Sequence, residues 1–379
     1  MKLYKKAILP LGFQANGISA GIKRSGKPDL ALFYSGLPAN AACLFTSNKI
    51  QAAPIIITKR HLKQSRYHRA IIANSGNANC FTGEQGLKDA EGISAVLSRA
   101  MHLKKESILV ASTGIIARPM PFAMIKGSIT RLVAGLSAEG IDKAKRAILT
   151  TDTFAKEVSV RFNYGCRRVT VCGVAKGAGM IAPDMATMLS FILTDAMVSQ
   201  GALKKALAGA AGGSFNCITV DGCMSTNDTV IALANGAAGN TLIGPGSRYF
   251  AQFAKALNIV CLELAKMIIR DAEGATKFIR INVRQAKSVA QAKKAALNIA
   301  NSNLFKTAIY GENNNFGRVI AAVGASGAEV SQKKMKVKIS NLSKKDIDVD
   351  LSLGRGRASA TVYTSDLTPE YIKINAGYN

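Results

Sequence analysis

The sequence predicts a mixed α/β protein of the α-β-β-α sandwich type, with mixed sheets held between helices and two lobes. Three observations carry that expectation. Short apolar runs ending at Gly-containing turns alternate with longer runs of helical apolar spacing. The chain has 379 residues, enough for a large core and for two lobes. Its hydrophobic content of 48 % against 19 % charged residues is an ordinary globular balance.

The elements follow in order. Residues 69–74 (Arg-Ala-Ile-Ile-Ala-Asn) and 107–112 (Ser-Ile-Leu-Val-Ala-Ser) read as buried strands, each followed by a Gly-containing turn. Between them, residues 87–103 carry Ile93, Val96, Leu97 and Ala100 at helical spacing. Residues 169–174 and 188–194 read as a strand pair flanking a Gly-rich loop. Helical patterns follow at 200–211, 249–270 and 286–301, and the tail from 334 to 364 alternates in the manner of strands. No repeat, low-complexity tract or clear linker interrupts this order, so layered sheets and helices are the natural architecture.

Composition narrows the chemistry. The apolar run near the start is short and broken by Pro10, with no cleavage site after it, and no run approaches the roughly 20 apolar residues of a membrane helix. The seven cysteines are odd in number, scattered and never spaced C-x-x-C, which fits reduced thiols and argues against a zinc site. A soluble, cytoplasmic protein without a metal is the expectation. Histidine is scarce. Of His61, His68 and His102, none sits in a motif, and His61 and His68 stand beside arginines in sequence that reads as surface. A mechanism here would more naturally use a base other than imidazole. The net charge of +27 raises a nucleic-acid binder as one reading. Against it, the basic residues come in small groups such as Lys104-Lys105 and Arg167-Arg168, with no Trp and little aromatic interleaving. An anionic substrate explains the charge equally well.

One stretch stands apart: Lys176-Gly-Ala-Gly-Met-Ile-Ala-Pro-Asp-Met-Ala-Thr187-Met-Leu. A threonine hydroxyl is a poor nucleophile unless a base adjoins it. Making Thr the first residue of a new chain supplies that base, because its own α-amine titrates near pH ~8. On these residues alone the plainer reading is a β-branched residue entering a buried strand. Asn74-Ser-Gly-Asn-Ala-Asn79 and Ser112-Thr113-Gly114-Ile115 each follow a strand, and Val220-Asp-Gly-Cys-Met-Ser-Thr-Asn-Asp228 reads as standing just before a helix. Each is compatible with a turn or a cap as well as with a site. In Asp271-Ala-Glu273-Gly274, carboxylates fall at the end of a long helix with Gly274 as its stop. Negative charge there opposes the helix dipole, which suggests a task other than stability.

Together these segments resemble the ornithine acetyltransferase (glutamate N-acetyltransferase) family of arginine biosynthesis, almost from end to end. The resemblance also includes Gly12-Phe-Gln-Ala-Asn-Gly-Ile-Ser-Ala-Gly-Ile-Lys23, Leu149-Thr-Thr-Asp-Thr153, Ser225-Thr-Asn-Asp-Thr229, Arg270-Asp-Ala-Glu-Gly-Ala-Thr-Lys277 and Phe316-Gly-Arg-Val-Ile-Ala-Ala-Val-Gly324. It implies a precursor that cleaves itself between Ala186 and Thr187, leaving residues 1–186 and 187–379 as associated fragments. It implies Thr187 as nucleophile, Thr113 and Gly114 as oxyanion hole, and Thr153, Lys176, Thr187, Glu273 and Asn375 as substrate contacts. The implied reaction moves an acetyl group from N2-acetylornithine to glutamate by a ping-pong route. No cofactor is implied, though acetyl-CoA is an alternative donor. A heterotetramer of two copies of each fragment is the expected assembly, with no membrane partner.

Lys176 and Glu273 offer opposite charges, suited to an amino acid's carboxylate and amine. The C-terminal segment with Asn375 and Tyr378 must fold back onto the site. The chain departs from the family at its tail, which ends one residue short at Asn379, at Cys223 where Asp is frequent, and at Glu312-Asn-Asn-Asn315. Two rival readings stay open: a related N-terminal-nucleophile amidase or aminopeptidase, and the nucleic-acid binder.

Overall fold

The computed structural model describes residues 1–182 and 188–377. The chain divides into two compact units. The first comprises the described residues of Met1–Gly177, Asp184–Ser214 and Met224–Leu264; the second comprises those of Ala178–Pro183, Phe215–Cys223 and Ala265–Asn379.

The first unit carries β1 (Lys2–Tyr4), β2 (Phe13–Ile18), β3 (Leu30–Phe45), β4 (His68–Asn77), β5 (Ile108–Ile115), β6 (Lys156–Tyr164), β7 (Arg167–Lys176), β8 (Leu189–Thr194) and β9 (Thr229–Ala234). They lie in the order β1-β6-β7-β8-β9-β3-β4-β5, with β2 on β3. The 16-residue β3 serves both halves of this sheet. Its first part pairs with β2 and β4, its last part with β9, and the register shifts between Tyr34 and Ala39, around Pro38. Pro lacks the N–H a continuous ladder needs, so the sheet turns there.

The turn brings the two halves face to face. Side chains alternate along each strand, so one set from β4 and β5 (Ile71, Ala73, Leu109, Ala111) meets Leu189, Phe191 and Leu193 of β8 and Ile231 and Leu233 of β9. The rings of Phe33 and Phe191 lie 5.0 Å apart in this layer. The opposite set (Ala70, Ile72, Ile108, Val110) packs on α1 (Ala53–Gln64), α2 (Gly83–Met101) and α3 (Phe122–Ala134). The short α4 (Ile141–Ala147) closes the inner layer. Beyond β3 and β9 lies α5 (Gln200–Gly212), and the part of α6 (Phe250–Arg270) up to Leu264 lies on β7. Gly173 of β7 permits that approach: a Cβ there would stand 2.5 Å from Val260 Cγ1. The expected α-β-β-α sandwich is therefore present within this unit.

The second unit holds β10 (Phe278–Ala286), β11 (Lys336–Ile339), β12 (Asp346–Ser352) and β13 (Ala358–Ser365) in the order β11-β12-β10-β13. Ile279, Ile281, Val283, Ile347, Val349 and Leu351 point to one face. There they meet α7 (Val289–Ala300), α8 (Asn303–Tyr310) and α9 (Phe316–Ala325). The other face is charged, with Arg280 bridging Asp348 at 2.6 Å. Last comes α10 (Pro369–Ala376), whose N-cap Thr368 accepts from Tyr371 N.

Three expectations need correction. The segment ending at Asp228 precedes a strand, not a helix: Thr229–Ala234 is buried at every position between β8 and β3, and its β-branched start suits that place. His61 and His68 are not surface residues. His61 faces inward from α1 and its Nδ1 bonds the Ile108 carbonyl at 2.7 Å, while His68, the first residue of β4, is fully buried. The strands at 69–74 and 107–112 also run further, because pairing continues through Asn74–Ser112 and Ser75–Thr113. Their polar ends belong to the ladder itself. Among the described residues, no helix is long and apolar enough to cross a membrane.

Candidate active site

Ala186 and Thr187, the expected cleavage pair and nucleophile, lie outside the described residues, as does Tyr378. The other expected site residues are described and fall into two groups, one in each unit.

In the first unit, β4 and β5 run parallel and end side by side in polar residues. The Ser112 hydroxyl donates to Asn74 Oδ1 at 2.6 Å, and Asn74 Nδ2 donates to the Asn77 carbonyl. This clamp holds the next residues of β5, Thr113 and Gly114. Thr113 is buried; Gly114 adopts φ +136°, and a Cβ there would stand 2.3 Å from the Gly76 backbone. Only glycine fits that position. Lys176 ends β7, is 3 % exposed, and donates from Nζ to Thr113 Oγ1 at 3.3 Å. Two of the expected residues thus meet directly.

The charges around Lys176 are fixed by Asp152, which accepts from Gly177 N at 2.7 Å and from Lys156 Nζ at 2.5 Å. Neither member of the Asp152–Lys156 pair has an exposed side chain. Burial alone would raise the Asp152 carboxyl; Lys156 and Lys176 outweigh it and hold it well below the usual carboxylate range. Lys23 joins the cluster through the carbonyls of Pro28 and Leu149. Burial pushes it down to about 8, with Asp29 opposing the shift and Lys176 adding to it. Thr153 is exposed, one residue beyond Asp152. A cluster holding three lysines suits a ligand with a carboxylate.

Residues the sequence reading left unassigned complete this half. Asn227 donates from Nδ2 to the carbonyls of Ala78 (2.6 Å) and Ser112 (2.8 Å), tying β9 to the ends of β4 and β5. Asp228 is fully buried and accepts from Met188 N at 2.8 Å. The signal for both was the Ser225-Thr-Asn-Asp-Thr229 run, readable as a cap.

In the second unit, Glu273 and Asn375 come together: Asn375 Nδ2 donates to Glu273 Oε2 at 2.8 Å. The C-terminal helix α10 packs closely against this segment. A Cβ on Gly274, at φ +67°, would stand 2.5 Å from Tyr371 N. Glu273 N donates to the Ala178 carbonyl at 2.9 Å, and its carboxylate fills the space a Gly179 side chain would take. Asp221 binds the same segment, accepting from Met180 N, Ile181 N and the Tyr371 hydroxyl. Burial, then the Asp221 carboxylate, pushes that hydroxyl up. Among the described residues no group of three or more His, Cys, Asp or Glu side chains is placed to hold a metal. All seven cysteines are free.

The ArgJ family model matches residues 14–343. The arginine biosynthesis bifunctional protein ArgJ of Geobacter sulfurreducens is 44 % identical over 388 residues, covering 97 % of this chain and 98 % of that protein. The protein of the same name from Caldanaerobacter subterraneus subsp. tengcongensis is 43 % identical, covering 98 % of each. Among solved structures, the ornithine acetyltransferase of Mycobacterium tuberculosis complexed with ornithine is 35 % identical, with a TM-score of 0.45. It covers 48 % of this chain and 97 % of that one.

Proposed function

Since the chain belongs to the ArgJ family of acyltransferases, we propose that it carries an acetyl group from N2-acetylornithine to glutamate on the hydroxyl of Thr187. Self-cleavage at Ala186–Thr187 frees the α-amine that serves the hydroxyl as its base. The observation that carries this reading is the buried contact between Lys176 and Thr113. It lies at the end of β7, the strand that pairs with β8, and β8 begins two residues past Thr187.

The roles follow from the chemistry. In acylation Thr187 Oγ attacks the acetyl carbon, the carbonyl oxygen gains charge, and the Thr113 hydroxyl with the Gly114 N–H offers it donors. Such a preorganised donor is worth about 3 kcal/mol of barrier. Collapse expels ornithine, whose nitrogen takes the proton that left Thr187. Glutamate's amine then attacks the acetyl ester in the reverse sense, restoring the free hydroxyl. Lys176 serves the substrate carboxylate, Glu273 and Asn375 its amine, and Thr153 contacts substrate as the resemblance implies.

Cleavage at this place leaves the fragments 1–186 and 187–379 joined by strand pairing. β7 of one ladders with β8 of the other, and β3 with β9. Two copies of each fragment form the proposed assembly, acetyl-CoA is a second donor, and the cytoplasm, where the free cysteines stay reduced, is the compartment. The reading is tested on purified protein under denaturing conditions. Two bands, one beginning Thr-Met-Leu-Ser, are expected from the 40.0 kDa chain, and a single uncut band from Thr187→Ala. Uncut, active wild type contradicts the proposal.

A further inference from the structure

The segment that carries Thr113 and Gly114 is pinned at both ends, and one side chain stands behind both pins. At its start, Asn227 Nδ2 donates to the Ser112 carbonyl at 2.8 Å. At its end, the Ile115 carbonyl accepts from Ala78 N at 3.0 Å, and the Ala78 carbonyl accepts in turn from Asn227 Nδ2 at 2.6 Å. Both hydrogens of a single amide are therefore used, one on each strand. A peptide unit is planar, so holding the Ser112 oxygen fixes the plane from which Thr113 departs.

The amide is itself held. Two carbonyls can only accept, so its NH2 must face them, and its Oδ1 accepts from Thr226 Oγ1 at 2.7 Å. Asn227 N donates to Ser225 Oγ at 3.1 Å, and the Asn227 carbonyl accepts from Thr229 Oγ1 at 2.9 Å. The carbonyls on either side, of Thr226 and Asp228, accept from Ala52 N and Thr46 N, each at 3.0 Å. Asn227 is 6 % exposed. β9 is already paired with β3 and β8, so it does not need this side chain to hold its place in the sheet. Between the two pins, Gly114 lies against the Gly76 backbone at φ +136°, and a shift of either pin changes where its N–H points.

We propose that Asn227 is a positioning residue for the oxyanion hole: by holding Ser112 and Ala78 with one amide, it aims the Thr113 hydroxyl and the Gly114 N–H at the charge that develops on the acetyl oxygen. This inference rests on the reading of Thr113 and Gly114 as the donors. Asn227 acts through them, since both of its hydrogens are committed to backbone carbonyls. Donors lower the barrier of acyl transfer when they are already in place as the charge forms. Loosening them therefore costs rate and leaves substrate binding largely unchanged.

The test is a double-mutant cycle on the full chain, with Asn227→Ala, Thr113→Ala and the two together, assayed with acetylornithine and glutamate. Asn227→Ala should lower kcat, per cut chain, about tenfold and leave KM for both substrates within about twofold. Self-cleavage should slow in parallel, because it passes through a similar oxyanion. Added to Thr113→Ala, the same change should cost less than about threefold, since both substitutions damage one device. Thr226→Val keeps Asn227 and removes the hydroxyl that orients its amide. It should show the same loss confined to kcat, at smaller size, and it replaces Asn227→Ala in the cycle if that variant does not fold. A role in holding the sheet alone predicts a lower melting temperature with wild-type kcat, or losses that multiply in the double variant. Either result overturns the assignment, as does wild-type kcat in Thr226→Val. Wild-type turnover in Thr113→Ala would instead remove the reading of the hole beneath it.

Discussion

Lys176 and Thr113 are 63 positions apart in sequence and joined by a single buried hydrogen bond, Nζ to Oγ1 at 3.3 Å. The bond orients the threonine hydroxyl by giving its oxygen a donor, leaving its own hydrogen to point elsewhere. Thr113→Ala removes that hydroxyl from the proposed oxyanion hole. Its kcat should drop about a hundredfold with KM little changed, and self-cleavage should slow in parallel. Normal turnover in Thr113→Ala would place the hole elsewhere.

Lys176→Ala has a broader expected effect. Loss of the ammonium should raise KM for acetylornithine and for glutamate alike, since one carboxylate contact serves both. Because the same Nζ orients Thr113, kcat should fall as well, by less than in Thr113→Ala. Steady-state kinetics with each substrate varied in turn separates the two components. A change confined to one substrate would contradict a shared site.

The Asp152–Lys156 pair makes a prediction about stability. Both side chains are wholly buried, and removing one partner of such a pair costs about 3–5 kcal/mol. Asp152→Asn should lower the urea midpoint accordingly at pH 7. The Asp152 carboxyl is held below its ordinary range in the fold, so its contribution is present above about pH 4 and is lost as pH falls below that. The gap between wild type and variant should therefore narrow from pH 7 to pH 3. An equal gap at both values would show that the charge is not the cause.

Much of this was legible in the sequence, and the misreadings have physical causes. The continuous apolar runs at 69–74 and 107–112 located β4 and β5 because both faces of each strand are covered, one by helices and the other by the second half of the sheet. The resemblance points to both Glu273 and Asn375, and the fold brings them into contact at 2.8 Å. The polar run before Thr229 misled because Ser, Thr, Asn and Asp serve equally as helix caps and as strand-end ligands. Here Asn227 and Asp228 satisfy carbonyls and an amide of other segments. His61 was misplaced because its charged neighbour on the helix, Arg60, is exposed, while His61 itself turns inward to the Ile108 carbonyl. The Asp152–Lys156–Lys176 cluster was invisible, since a buried ion pair leaves no trace in hydrophobic periodicity.

Incubation of the protein with acetylornithine, then with glutamate, tests the central claim most directly. Mass spectrometry after the first step should show the fragment that begins at Thr187 heavier by one acetyl group, with ornithine released. Adding glutamate should return that fragment to its starting mass and yield N-acetylglutamate, with ping-pong kinetics across the two substrates. Free acetate in place of N-acetylglutamate would make the protein an amidase, and a fragment that never gains the acetyl group would contradict the Thr187 mechanism altogether.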